Sequence, residues 1–154
     1  MSALIPDFTV LKGKRVYFDT NPVIYYLEQI SPFFSVVQPF FEMIGQGDIV
    51  ACTSEFTLLE TLIKPMRDNA TLLIDDIQEL LLDPDLFSLI PVSREILLRS
   101  AELGAKSGLK PADSIHFASA ISHPCDYFVT NDLKFQSQQG VDVLRLGDFL
   151  EPPM

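Results

Sequence analysis

The sequence predicts an α/β fold with a central parallel sheet of five strands, and two observations carry that reading. Five short apolar runs, rich in β-branched and aromatic residues, are separated by segments with helical periodicity. Four of the five runs are near-continuous rather than alternating, which suits parallel strands covered on both faces by helices. The length of 154 residues and the 47% hydrophobic content fit one compact domain, residues 1–154 with its core at about 15–146, folding alone or as identical copies.

The elements follow in order. Val16-Tyr17-Phe18 is the first strand run. Phe33, Phe34, Val36, Val37, Phe40, Phe41, Met43 and Ile44 then make a helix that is apolar on more than one face. One face is expected to meet the sheet. The other is expected to meet a second copy or a bound peptide, unless Phe40 is simply core. Ile49-Val50-Ala51 is the second strand, and Ser54 is placed to cap a helix running to about Met66. Pro65 is expected to end or kink that helix early. Leu73, Ile77, Leu80 and Leu81 fall at i, i+4, i+7 and i+8, and Asp83-Pro84-Asp85 stops the helix they define. Phe87-Ser88-Leu89-Ile90 is the third strand. Ser93 caps a further helix with Glu95 in its first turn, closed by Gly104 or Gly108. Pro111 suits the first turn of the last long helix, and Tyr127-Phe128-Val129 and Val141-Asp142-Val143-Leu144 complete the strands.

Composition narrows the functional classes. The formal net charge is -10, from 21 acidic and 11 basic residues, which argues against broad nonspecific binding of a polyanion. Nucleic acid must then be argued from a local site, whereas divalent cations or a basic partner protein suit the surface directly. The opening segment has no basic stretch ahead of an apolar run, and Pro6 and Asp7 interrupt its only hydrophobic patch, so it does not read as a signal peptide. No apolar run approaches the roughly 20 residues of a membrane span. Cys52 and Cys125 have no CxxC spacing and read as reduced, buried thiols, so a cytoplasmic location is expected.

Four carboxylates stand apart from those on solvated helix faces. Asp19 ends the first strand run, before Thr20, Asn21 and Pro22, and in open α/β sheets that strand end is where ligands bind. It also suits a helix cap. Asp132 follows another strand in Thr130-Asn131-Asp132, where it suits a cap for a short helix through Phe135. If the two strands are neighbours across the switch point of a doubly wound sheet, these acids converge. Glu60 aligns with Phe56, Leu59 and Ile63, and Asp113 aligns with Phe117, Ala120 and Ile121, placing both acids on apolar helix faces. A carboxylate there is costly unless it is paired, hydrogen-bonded or bound to a cation. Salt bridges or boundary positions would satisfy each singly. Lys64, Arg67, Lys110 and Lys134 are the nearest basic residues in sequence and are candidate phosphate contacts. A hard cation such as Mg2+, or Mn2+, fits the all-oxygen set better than zinc, for which no His/Cys set exists. His116, i+3 from Asp113, is placed as a supporting partner or a packed boundary histidine.

Phe18-Asp19-Thr20-Asn21, Thr53-Ser54-Glu55-Phe56-Thr57-Leu58-Leu59-Glu60, Lys110-Pro111-Ala112-Asp113-Ser114-Ile115-His116 and Val129-Thr130-Asn131-Asp132 stand in the order and spacing of a PIN domain. The chain resembles the VapC-like toxins of toxin-antitoxin systems from about Arg15 to Leu146. Each motif is short; four in register around five strands are specific. The resemblance implies a PIN-like three-layer α/β/α sandwich in which Asp19, Glu60, Asp113 and Asp132 form the acidic quartet, supported by hydrogen bonds from Asn21 and Thr130. Asp19 and Asp113 are the strongest candidates for direct metal ligands, and Asp132, at the position that varies in the family, is the least secure. The implied activity is Mg2+-dependent endoribonuclease cleavage of RNA, in which a metal-bound water of lowered pKa attacks phosphorus in line. RNA as substrate, an antitoxin protein with a basic tail as partner, and the role of toxin all rest on the resemblance.

Other readings fit less well. A haloacid-dehalogenase-like phosphatase wants a second acid two residues after the first, where this chain has Asn21. A response-regulator receiver needs a phosphoacceptor after the third strand, where Ile90-Pro91 stands. The serious alternative is a PIN-like binding module acting through protein partners with little or no nuclease activity.

Overall fold

The computed structural model describes residues 8–150, so the first seven residues of the opening segment, Pro6 and Asp7 among them, lie outside the described residues. All five expected strands form: β1 (Arg15–Phe18), β2 (Val50–Ser54), β3 (Ser88–Ile90), β4 (Tyr127–Thr130) and β5 (Asp142–Arg145). They make one parallel sheet in the order β3-β2-β1-β4-β5. The chain lays down β1, β2 and β3 in one direction, then returns to place β4 on the other side of β1. The switch point therefore lies between β1 and β4, and the strands that end at Asp19 and Asp132 are hydrogen-bonded neighbours.

Helices cover both faces, giving the α/β/α sandwich. A short α1 (Phe8–Leu11), α2 (Thr20–Leu27), α3 (Phe34–Gln46), α4 (Glu55–Arg67) and α5 (Thr71–Leu81) precede β3; α6 (Arg94–Ser107) and α7 (Pro111–Ser122) lie between β3 and β4; a 3-10 turn, Leu146–Phe149, follows β5. Alternation along β1 sorts the core in two. Val16 and Phe18 join Val23, Val37, Phe40, Phe41, Ile77 and Leu81 on one side of the sheet. Tyr17 joins Cys52, Ile96, Leu103, Phe117 and Phe128 on the other.

The local signals act largely as expected. Ser54 and Ser93 accept from the amides of Phe56 and Ile96 and so cap α4 and α6. Gly108, not Gly104, closes α6, in a left-handed conformation with φ of 74° and its N–H donated to the Gly104 carbonyl. Gly104 serves packing instead: a Cβ there would lie 3.0 Å from the Ser114 hydroxyl of α7.

Four expectations are corrected. The second apolar face of α3 is largely met within the chain. Phe40 is fully buried edge-on to Phe8 and Phe18, and Phe41 stacks on Tyr26 with ring centroids 4.0 Å apart. Pro65 does not itself end α4, which runs two residues further to Arg67 with Pro65 turned into the core. The stripe of Leu59 and Ile63 on α4 faces outward, since the helix turns Thr57, Thr61 and Pro65 inward. The two threonine hydroxyls are satisfied there, by Thr53 and by the Thr57 carbonyl. Asp132 starts a turn rather than a helix, accepting from the amide of Lys134.

Candidate active site

The C-terminal ends of β1 and β4 place Asp19 and Thr130 side by side. Asp19 follows directly on β1, and its amide continues the ladder by donating to the Val129 carbonyl at 2.9 Å. Its carboxylate caps α2 by accepting from the Thr20 amide at 2.9 Å, while the Thr130 hydroxyl donates to the other oxygen at 2.8 Å. The cap expected of Asp19 therefore forms, and the capping carboxylate also lies 3.8 Å from Nε2 of His116. Only 6% of Asp19 is exposed. Burial raises its pKa against the opposing pull of His116 and of the Thr130 and Thr20 hydrogen bonds, with the nearby Glu60 charge adding to the rise.

Glu60 reaches the same place from α4. Its Oε1 accepts from the Thr20 hydroxyl at 2.7 Å and lies 2.6 Å from Nε2 of His116. Partial burial would raise the Glu60 pKa, but the hydrogen bonds from His116 and Thr20 hold it below the ordinary value. His116 is 1% exposed; its Nε2 is 3.8 Å from Asp19 Oδ1, and its Nδ1 is 2.7 Å from the Tyr17 hydroxyl. The imidazole therefore stands between two of the acids.

The other two acids share a different neighbour. The Lys134 ammonium is 3.7 Å from a carboxylate oxygen of Asp113 and 3.7 Å from one of Asp132. Its side chain is 53% exposed, so these pairs are loose and solvent-screened. The Thr130 hydroxyl also accepts from the Asp132 amide at 3.0 Å, tying the turn to the end of β4. Arg145 anchors that turn from β5 by donating to the Leu133 and Phe135 carbonyls.

The structure thus brings the four acids into two linked groups, Asp19 with Glu60 and Asp113 with Asp132. They are joined through α7, which carries both Asp113 and His116. Of the two supporting residues, Thr130 holds Asp19. Asn21 is exposed, and among the described residues its side chain makes no hydrogen bond to this cluster. Its neighbour Thr20 does that work and was missed by sequence reasoning, although its position beside Asp19 was a signal. Lys64, Arg67 and Lys110 are exposed and form no ion pair with the four acids among the described residues.

The donor set fits a hard cation. It is all oxygen; one member is a buried carboxylate resisting ionisation, and an ammonium already sits between two others. Among the described residues no three His, Cys, Asp or Glu side chains converge on one direct coordination point. A cation here would keep much of its water, as Mg2+ commonly does, with some carboxylates acting through that water.

An acidic centre at the switch point of a five-stranded α/β/α sandwich defines the class. The PIN domain family model matches residues 16–140, and the chain belongs to that family. The fold is also similar to solved structures of low sequence identity. A toxin-antitoxin complex from Klebsiella pneumoniae is 22% identical with a TM-score of 0.62, covering 82% of this chain and 94% of that one. VapBC2 from Rickettsia felis, bound to a DNA fragment from its promoter, is 16% identical with a TM-score of 0.64, covering 85% and 98%. DNA-bound VapBC from Salmonella typhimurium is 16% identical with a TM-score of 0.60, covering 86% and 98%. No curated protein matches the sequence. Among the described residues no helix is long and apolar enough to cross a membrane.

Proposed function

We propose that the protein is a Mg2+-dependent endoribonuclease and the toxin of a toxin-antitoxin pair, acting in the cytoplasm. The observation that carries the reading is the pairing of Asp19 with Glu60 around His116, and of Asp113 with Asp132 around Lys134, beside the C-terminal ends of the neighbouring strands β1 and β4. Membership of the PIN family and the toxin-antitoxin titles of the similar structures support it. Bound there, Mg2+ or Mn2+ would neutralise charge at a scissile phosphate and supply a water of lowered pKa. Asp19, held at both oxygens by Thr20 and Thr130, is the most rigid of the proposed ligands, and Asp113 is the other direct ligand. Glu60 orients water or cation from a fixed position, and Asp132 completes the rim. Lys134 stands where an ammonium can contact a phosphate oxygen once the acids have exchanged it for the metal.

Purified protein assayed on RNA with Mg2+ tests this. Wild type should cleave and Asp19→Asn should not. Equal background cleavage by the two folded proteins would refute the nuclease reading and leave the alternative, a binding module acting through partners.

One observation supports a protein partner in either case. Leu59, Ile63 and Met66 recur at i, i+4 and i+7 on α4, all about half exposed, on the helix that carries Glu60. An antitoxin-like protein laying apolar side chains along this stripe would bring a basic tail towards the acidic centre, and a homodimer is the competing way to cover such a surface. Light scattering of the purified chain, with and without a co-expressed neighbouring small protein, distinguishes them. A monomer at every concentration that also binds no such protein would refute both.

A further inference from the structure

We propose that His116 is a positioning residue that holds the Glu60 carboxylate in place for a cation, through a fixed hydrogen-bond chain from Tyr17 to His116 to Glu60. The inference rests on the metal reading proposed above and adds to it residues outside the acidic quartet.

The chain has a direction. Tyr17 is fully buried in the sheet, and its phenolic hydroxyl is a hydrogen-bond donor. That proton is available to Nδ1 of His116 at 2.7 Å. With Nδ1 accepting, the network assigns the remaining ring proton to Nε2, which faces Glu60 Oε1 at 2.6 Å. A bond that short to a carboxylate is charge-assisted and strongly directional. The Thr20 hydroxyl donates to the same oxygen at 2.7 Å. Oε1 is therefore engaged twice, while Oε2 meets no donor among the described residues and is the oxygen left for a cation or its water.

The imidazole is held as firmly as the carboxylate it holds. It stands edge-on to Tyr17 and Phe56, with ring centroids at 5.9 and 6.0 Å. Its backbone lies in α7, one turn beyond Asp113. One rigid helix thus sets Asp113 directly and Glu60 at one remove. This matters because α4 does not hold Glu60 by burial: its neighbours Leu59 and Ile63 are about half exposed. Without His116 the carboxylate would keep the Thr20 bond but regain rotamer freedom. Groups that orient metal-binding carboxylates in this way typically matter about 10- to 100-fold in metal affinity.

The test is calorimetric titration of the full chain with Mn2+ alone. His116→Ala should weaken Mn2+ binding at least about tenfold. His116→Gln, whose amide can accept from Tyr17 and donate to Glu60, should recover most of that affinity. In a Glu60→Gln background, His116→Ala should cause no further loss, because its effect passes through Glu60. A purely structural histidine would instead lower thermal stability and leave the affinity of the folded fraction unchanged. If His116→Ala does not fold, Tyr17→Phe takes its place, and a severalfold loss of affinity is expected. Wild-type affinity in a folded His116→Ala or Tyr17→Phe protein, or an additive loss in the Glu60→Gln background, overturns the proposal while leaving the metal site standing. Absence of Mn2+ binding by wild type overturns both.

Discussion

Replacing Asp19 by Asn should stabilise the metal-free protein at neutral pH and abolish its thermal response to Mg2+. Asp19 is a nearly buried carboxylate whose pKa is raised from the ordinary 3.8, chiefly by burial. The sign follows from linkage: a group whose folded-state pKa is raised favours the folded state when protonated. Its contribution is full below the unfolded value and is lost as pH rises through the folded one. At neutral pH the ionised carboxylate is therefore a liability that a cation relieves. Wild type should lose stability relative to Asp19→Asn as pH is raised from about 4 towards neutrality. Glu60, with a lowered pKa, works in the opposite sense, losing its contribution as pH falls through its folded-state value. Because the Glu60 charge also raises the Asp19 pKa, the difference between the two proteins reads Asp19 together with its coupling to Glu60. Saturating wild type with Mg2+ at about 100 times its dissociation constant should add about 2.7 kcal/mol. For 154 residues, at about 2.1 cal/mol/K of unfolding entropy per residue, that is a rise of roughly 8 °C in Tm. Thermal melts followed by circular dichroism, with and without Mg2+, read both effects. A wild-type Tm indifferent to Mg2+ and Mn2+, or an Asp19→Asn protein that keeps the shift, would refute the reasoning.

Two further substitutions probe the site and its support. Lys134→Ala removes a cation that competes for Asp113 and Asp132; because the lysine is exposed, Mn2+ affinity should rise by no more than about fivefold while RNA cleavage falls. Calorimetry and the cleavage assay together check the opposite signs. Phe40→Ala, in the fully buried ring cluster with Phe8 and Phe18, should cost about 3–5 kcal/mol in urea unfolding; a cost under about 1 kcal/mol would restore α3 as an interaction surface.

The sheet was legible because burial on both faces leaves no room for polar alternation, so Val16-Tyr17-Phe18 and Tyr127-Phe128-Val129 stand out without any partner being known. Their adjacency was legible too, since an acid at each strand end makes most sense at a switch point. The facing of α4 was not. Its apolar residues fall at helical spacing, and periodicity alone cannot show that two threonines would satisfy their hydroxyls inward while Leu59 and Ile63 turn out. The partners of Thr20 and Tyr17 were illegible for a related reason, although Thr20 stands beside Asp19 in sequence. Their roles depend on which side chains the fold brings to them from 40 and 99 residues away.

The same limit explains why ranking the acids by sequence differs from grouping them by structure. Asp19 and Asp113 stand out in sequence because one ends a strand and the other opens a helix, both backbone positions that spacing reveals. In the fold, however, Asp19 lies with Glu60 against His116, whereas Asp113 lies with Asp132 against Lys134. These neighbours differ in what a cation would have to displace. Lys134 is exposed and held at 3.7 Å from each acid, so it can leave into water at little cost. His116 is buried and committed to Tyr17, so it must stay while the cation arrives. Entry on the Asp113 and Asp132 side, with the Asp19 and Glu60 side as the fixed wall, is the order this difference favours. It follows that Lys134→Ala should speed Mn2+ association more than it slows dissociation, and stopped-flow binding that finds its whole effect in the dissociation rate would reverse that assignment.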